Sequence, residues 1–218
     1  MKMILSAAAL SLSAAVPAFA ADVTLDFEAT PGFINSILDA YNGGTDSLGQ
    51  SGPNYGVSFT DAVVGLSNDA LGPYYLNAPS PLTTMAAYDA SAVMNVASGF
   101  AGGLKFFYSS LSTQPNGALE TQQDVVKIYS GLNATGSLLA TVSLFSNGQL
   151  GCSGAQFCRF DQTSVQFAGI AKSVSFGANA QTVLYDNISI TTVPEPTSIT
   201  MMLAGVSVLG FLASRRRG

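Results

Sequence analysis

The stretch Val183-Leu184-Tyr185-Asp186-Asn187-Ile188-Ser189-Ile190 decides the fold. It is too short and too rich in β-branched and aromatic residues for a helix, and it reads as a strand. Period-two alternation places Leu184, Asp186, Ile188 and Ile190 on one face. The same grammar recurs outward. Val23, Leu25 and Phe27 alternate with Thr24, Asp26 and Glu28, and Tyr55, Val57 and Phe59 alternate with Gly56, Ser58 and Thr60. Leu104 to Tyr108, Val125 to Tyr129, Leu138 to Phe145, Ser164 to Phe167 and Ser173 to Phe176 read as further strands. Asn116-Gly117 and Asn147-Gly148 mark tight turns, the second a candidate hairpin. Phe33 to Ala40 reads as one short helix, and residues 41–54 and 69–83 as long loops. Strands at this spacing predict an all-β fold, an antiparallel β-sandwich of jelly-roll topology.

Asp186 stands out on its strand. A carboxylate on an apolar face has to be protonated, paired or metal-bound, because burying it alone is costly. The body offers few partners: Lys105, Lys127, Arg159 and Lys172 face twelve acids in residues 21–192, a net charge of −8. Calcium takes carboxylate and carbonyl oxygens, which an acidic, Gly-rich domain supplies. The plainer alternative is that Asp186 accepts backbone N–H bonds.

The same charge balance excludes nucleic acid as a partner, since binding it requires basic patches. The chain has no His, which removes Ser-His-Asp and Cys-His catalysis and His-liganded metals. Asp26 and Glu28 are the one carboxylate pair that would suit a glycoside hydrolase; a solvated face explains them more simply. Tyr74 and Tyr75, on a Pro-rigid loop, are candidate sugar contacts; packing over the sandwich edge explains them more simply. Cys152 and Cys158 form a disulfide in an oxidising compartment, closing a loop worth about 2.4 kcal/mol in the chain-entropy model.

The ends carry addresses. Lys2, an apolar run from Ile4 to Val16 and Ala18-Phe19-Ala20 make residues 1–20 a signal peptide cleaved after Ala20 by signal peptidase. Residues 193–218 hold Val193-Pro194-Glu195-Pro196, an uncharged apolar segment from Thr197 to Ala213, and Arg215, Arg216 and Arg217. A helix over those seventeen residues rises roughly 26 Å, close to a hydrocarbon core of about 30 Å, with the Arg cluster held cytoplasmic. This order resembles the PEP-CTERM sorting signal. The resemblance implies an exosortase that removes the tail, transient anchoring in the inner membrane, and a final place at the cell surface or outside the cell, associated with exopolysaccharide.

The body, residues 21–192, resembles PEP-CTERM sandwich domains and, through them, carbohydrate-binding jelly rolls. The residues that carry this are Leu25-Asp26-Phe27-Glu28, the Gly-rich loop after Tyr41, Tyr55 to Phe59, and Tyr185-Asp186-Asn187-Ile188. That resemblance implies neighbouring first and last strands and a structural calcium held by Glu28, Asp46 and Asp186. The expected role is a non-catalytic surface or matrix protein. A calcium-stabilised carbohydrate-binding module is the alternative, and a glycoside hydrolase a remoter one.

Overall fold

Short runs of Val, Ile, Phe and Tyr between Gly, Asn and Ser bury one face per strand, and ten such strands join in one antiparallel sheet. They are β1 (Ala21–Leu25), β2 (Phe33–Ser36), β3 (Val57–Phe59), β4 (Val63–Ser67), β5 (Thr83–Ala87), β6 (Val93–Ser110), β7 (Asp124–Tyr129), β8 (Leu138–Leu144), β9 (Asp161–Ser175) and β10 (Val183–Thr192). This computed structural model describes residues 21–111 and 124–193, and Gly205. The expected signal peptide, the turn at Asn116-Gly117, Pro194, Glu195, Pro196, Arg215, Arg216, Arg217 and the apolar segment between them (Gly205 apart) lie outside the described residues. Among the described residues no helix is long and apolar enough to cross a membrane.

The sheet order is β2-β4-β5-β10-β6-β9-β7-β8, with β1 on β10 and β3 on β6. The long strands change partners along their length. β6 pairs β3 through residues 94–96 and β10 through residues 100–110. Its register against β9 shifts between Asn95 and Phe100, where Gly99 takes a φ of 87°. Such breaks let one strand pass from one layer to the other, so the sheet folds into a β-sandwich over one main core. Residues from β1, β3, β5 and β10 meet there with Val126, Ile128, Val142 and Leu144 of β7 and β8. Ala20–Val193 is one compact unit. Its core is drawn from its own strands, and β1 pairs along β10 from Ala21↔Thr192 to Leu25↔Ile188. It therefore stands on its own contacts.

Several expectations need correction. Phe33 to Ala40 is not a helix. Phe33–Ser36 forms β2, and Ile34 and Leu38 sit at φ 54° and 49°, outside the helical region. Ser164 to Phe167 and Ser173 to Phe176 are not separate strands: residues up to Ser175 are halves of β9, continuous across Gly169. β4 and β5 were not foreseen as strands. Asn147-Gly148 does not close a hairpin, since β8 pairs β7 and β7 pairs β9. Instead buried Asn147 accepts from Ser110 N at 2.7 Å and donates to Tyr108 O at 3.1 Å.

Candidate functional site

In β10 the alternation breaks at a bulge between Asp186 and Ser189. Asn187 adopts a φ of 49°, a conformation Asn tolerates better than most residues. Val183 and Tyr185 face the main core, and beyond the bulge so do Ile188 and Ile190. Leu184 faces the other way, into a second cluster with Tyr75 and Phe157. Asp186 therefore shares a face with Leu184 and not, as the uninterrupted period had it, with Ile188 and Ile190.

Asp186 is fully buried. It accepts Ser80 N at 2.7 Å, Ser80 Oγ at 2.9 Å and Asn187 N at 2.7 Å. Burial pushes its pKa up to about 6 against the pull of those donors, and Glu28 adds to the rise. Glu28 reaches the same loop from the other side of the sequence, its Oε1 accepting Leu82 N at 3.0 Å and Thr83 N at 2.9 Å. The Tyr75 hydroxyl donates to Leu82 O at 2.7 Å. Burial, then Glu28 and Asp186, push the Tyr75 pKa up to about 12.

The structure thus brings Glu28 and Asp186 to residues 80–83 rather than to the Gly-rich loop at Asp46 that the resemblance implied. The Asp46 carboxylate accepts from Asn35 Nδ2 at 2.6 Å, Gln50 N at 2.7 Å and Leu48 N at 2.9 Å, closing its own loop. Among the described residues no group of three or more Cys, Asp or Glu is placed to hold a metal. Glu28 and Asp186 spend their oxygens on donors of residues 80–83 and Asn187, and Asp46 spends its own on residues 35, 48 and 50. Asp26 is exposed and accepts the Glu28 N–H at 3.3 Å, while β1 ends at Leu25. Asp26 and Glu28 are therefore not two carboxylates on one strand face.

The tyrosines separate. Tyr75 is 2% exposed and packs in the second cluster, so it is no part of an exposed pair. Tyr74 lies at the surface, its ring 5.0 Å from that of Phe33 at 36°. Asn68 fixes both backbones, its Oδ1 accepting Tyr74 N at 2.8 Å and Tyr75 N at 3.2 Å. Cys152 and Cys158 are joined, with Cα atoms 5.9 Å apart. Their loop is laid along the tyrosine segment: Leu76 N donates to Phe157 O at 2.8 Å, and Asn77 Nδ2 to Cys158 O at 3.0 Å.

Beside Tyr74 runs a groove of about 230 Å³ across β2, β4, β5 and β10. Phe33, Ile34, Tyr88, Gln156 and Gln181 stand along it. A more open, polar trough of about 500 Å³ crosses β1, β10, β6 and β9, lined by residues including Asp22, Lys105 and Gln166. Ser80, Asn68, Phe33 and Tyr88 were not singled out from sequence. Only the run Pro31-Gly32 before two large apolar residues hints that Phe33 leaves a regular pattern.

Residues 192–217 match the PEP-CTERM protein-sorting motif. That signal makes the chain an exported, exosortase-targeted protein, sorted at the membrane before display at the cell surface. No curated protein matches the chain. Among solved structures it is similar to a carbohydrate binding module (CBM6cm-2) from Cellvibrio mixtus lichenase 5A in complex with cellotriose. The identity is 14%, covering 64% of this chain and 88% of that one, with a TM-score of 0.29, a likeness too slight to bear an argument.

Proposed function

We propose that this is a non-catalytic protein of the cell surface or extracellular matrix. It is cut by signal peptidase after Ala20, trimmed by an exosortase near Pro194, and associated with exopolysaccharide. The sorting motif at residues 192–217 carries the reading. The body supports a structural role, because its carboxylates act as acceptors that fasten loops: Glu28 and Asp186 on residues 80–83, Asp46 on residues 48–50. We read the sandwich as jelly-roll-like, and place a structural calcium at Glu28 and Asp186 alone. That ion would offset the repulsion between two carboxylates sharing one loop. The test is intact mass of the protein from its native host, with co-sedimentation of residues 21–193 with the host's exopolysaccharide. A mass lacking both ends and retention on the polymer are expected. A mass that keeps Arg215, Arg216 and Arg217, or a body that stays in solution, overturns the reading.

A further inference from the structure

We infer that the groove across β2, β4, β5 and β10 binds an uncharged sugar ring of a polysaccharide, with Phe33, Tyr74 and Tyr88 as its contacts. This rests on the polysaccharide-associated reading above and gives it a site.

Three observations converge on that ligand. First, the backbone departs from regular structure to build the rim. Ile34 is β-branched yet sits at a φ of 54°, and the β2–β4 register slips between Phe33 and Asn35. A β-branched residue there is strained, and such strain tends to persist where the surrounding structure uses it. The consequence is that two successive large apolar side chains, Phe33 at 51% and Ile34 at 45% exposed, stand at the groove instead of one facing inward.

Second, the rings are set before any ligand arrives. Phe33 and Tyr74 lie 5.0 Å apart, and the Tyr74 hydroxyl donates to the Asp69 carboxylate at 3.1 Å. The Tyr74 backbone is fixed by Asn68 on one side and by Phe157 N, which donates to Tyr74 O at 3.2 Å, on the other. Aromatic faces held this way give contact area at little entropic cost.

Third, the lining contains no charged side chain, in a body whose net charge is −8. An anionic polymer would meet repulsion without a cation to answer it. What the lining does offer beside its apolar floor of Val64, Leu66 and Leu184 is Tyr88, the Gln156 amide and the Gln181 amide, whose Nε2 also donates to Tyr88 O at 3.1 Å. A flat ligand with apolar faces and hydroxyl edges answers both, whereas an acyl chain would leave the Gln156 amide without use. The volume, about 230 Å³, is below the usual range for drug-sized ligands and suits a single ring.

The experiment uses residues 21–193 as parent, Phe33→Ala, Tyr88→Ala and Tyr88→Phe. Each is titrated by NMR with short uncharged gluco-, galacto- and manno-oligosaccharides and with alginate oligosaccharides. Both truncated side chains are half exposed, so melting points close to the parent's are expected. The expected result is saturable binding of at least one uncharged probe, weakened about 2- to 10-fold by either alanine and less by Tyr88→Phe. Preference for alginate, or alanine variants that bind as the parent does, overturns the proposal. So does an apolar peptide or a second copy of the chain taking the groove. If the host exopolysaccharide retains the parent but no uncharged probe binds, the groove fails and the surface role stands. If neither binds, both fail.

Discussion

The tyrosine segment, residues 74–83, is fastened at both ends, and the two fastenings differ in kind. Near Leu76 and Asn77 it lies against a loop closed by the Cys152–Cys158 bond. Near Ser80 to Thr83 it hangs on two carboxylates, Asp186 and Glu28. The first rests on hydrogen bonds between neutral groups to a covalently closed loop and is indifferent to pH. The second buries a charge beside another of the same sign, and holds only while backbone N–H groups offset that cost. The difference teaches that a chain short of cations can still use buried acids structurally, provided each finds N–H donors. It also makes the two ends separable by experiment.

The largest effect is expected at Asp186. Asp186→Ala leaves Ser80 N and Asn187 N without their acceptor in a buried site and Ser80 Oγ with Asn187 Oδ1 alone, a loss of about 3 kcal/mol. Its pH dependence has an unusual sign for an acid. The unfolded group releases its proton near 3.8, the folded one near 6. The contribution is therefore greatest at low pH and declines as pH rises between those values. Urea unfolding from pH 3.5 to 7.5 should show that decline in the parent relative to Asp186→Asn. Parallel curves for the two proteins would mean that Asp186 titrates as an ordinary surface acid.

The covalent fastening comes next. Replacing Cys152 and Cys158 with Ser opens a loop worth about 2.4 kcal/mol in the chain-entropy model, roughly 5–10 °C of melting temperature for a domain of this size. The loss should be the same at pH 4 and pH 7. A loss that grew with pH would tie the two ends together and erase the distinction between them.

Much of this arrangement is legible in the sequence. Val23, Leu25 and Phe27 are buried as their spacing predicts, and the first and last strands are neighbours as the resemblance implied. Glu28 and Asp186 converge on residues 80–83, a loop other than the one at Gly44 to Asp46 that the resemblance implied. What period-two reading missed was set by single backbone conformations. Asn187 at φ 49° reverses the parity of β10, and Ile34 at φ 54° turns an expected helix into a strained edge strand. A side-chain pattern carries no sign of φ, so neither was visible. The segments of β6 before Leu104 were hidden by Gly99, Gly102 and Gly103, which interrupt the apolar pattern without ending the strand. For Tyr74 and Tyr75 the sequence leaves two readings, sugar stacking or packing over the sandwich edge; Tyr75 packs, and the contact that buries it, with the disulfide loop at Phe157, is distant in sequence.

The smallest effect is the most discriminating. Glu28→Gln keeps an oxygen for Leu82 N and Thr83 N and removes only the charge, so in EDTA its cost should be about 1 kcal/mol or less. Because Glu28 raises the Asp186 pKa, the variant should shift the Asp186 transition to lower pH. If a calcium ion spans the two carboxylates, the parent should melt lower in EDTA than in calcium, by about 2.7 kcal/mol at a concentration 100 times its dissociation constant. Glu28→Gln should then lose that response. Asp46→Asn should keep it, since Asp46 serves its own loop. A parent indifferent to EDTA would leave the carboxylate fastening to its N–H donors alone, with the stability maximum moved toward acid.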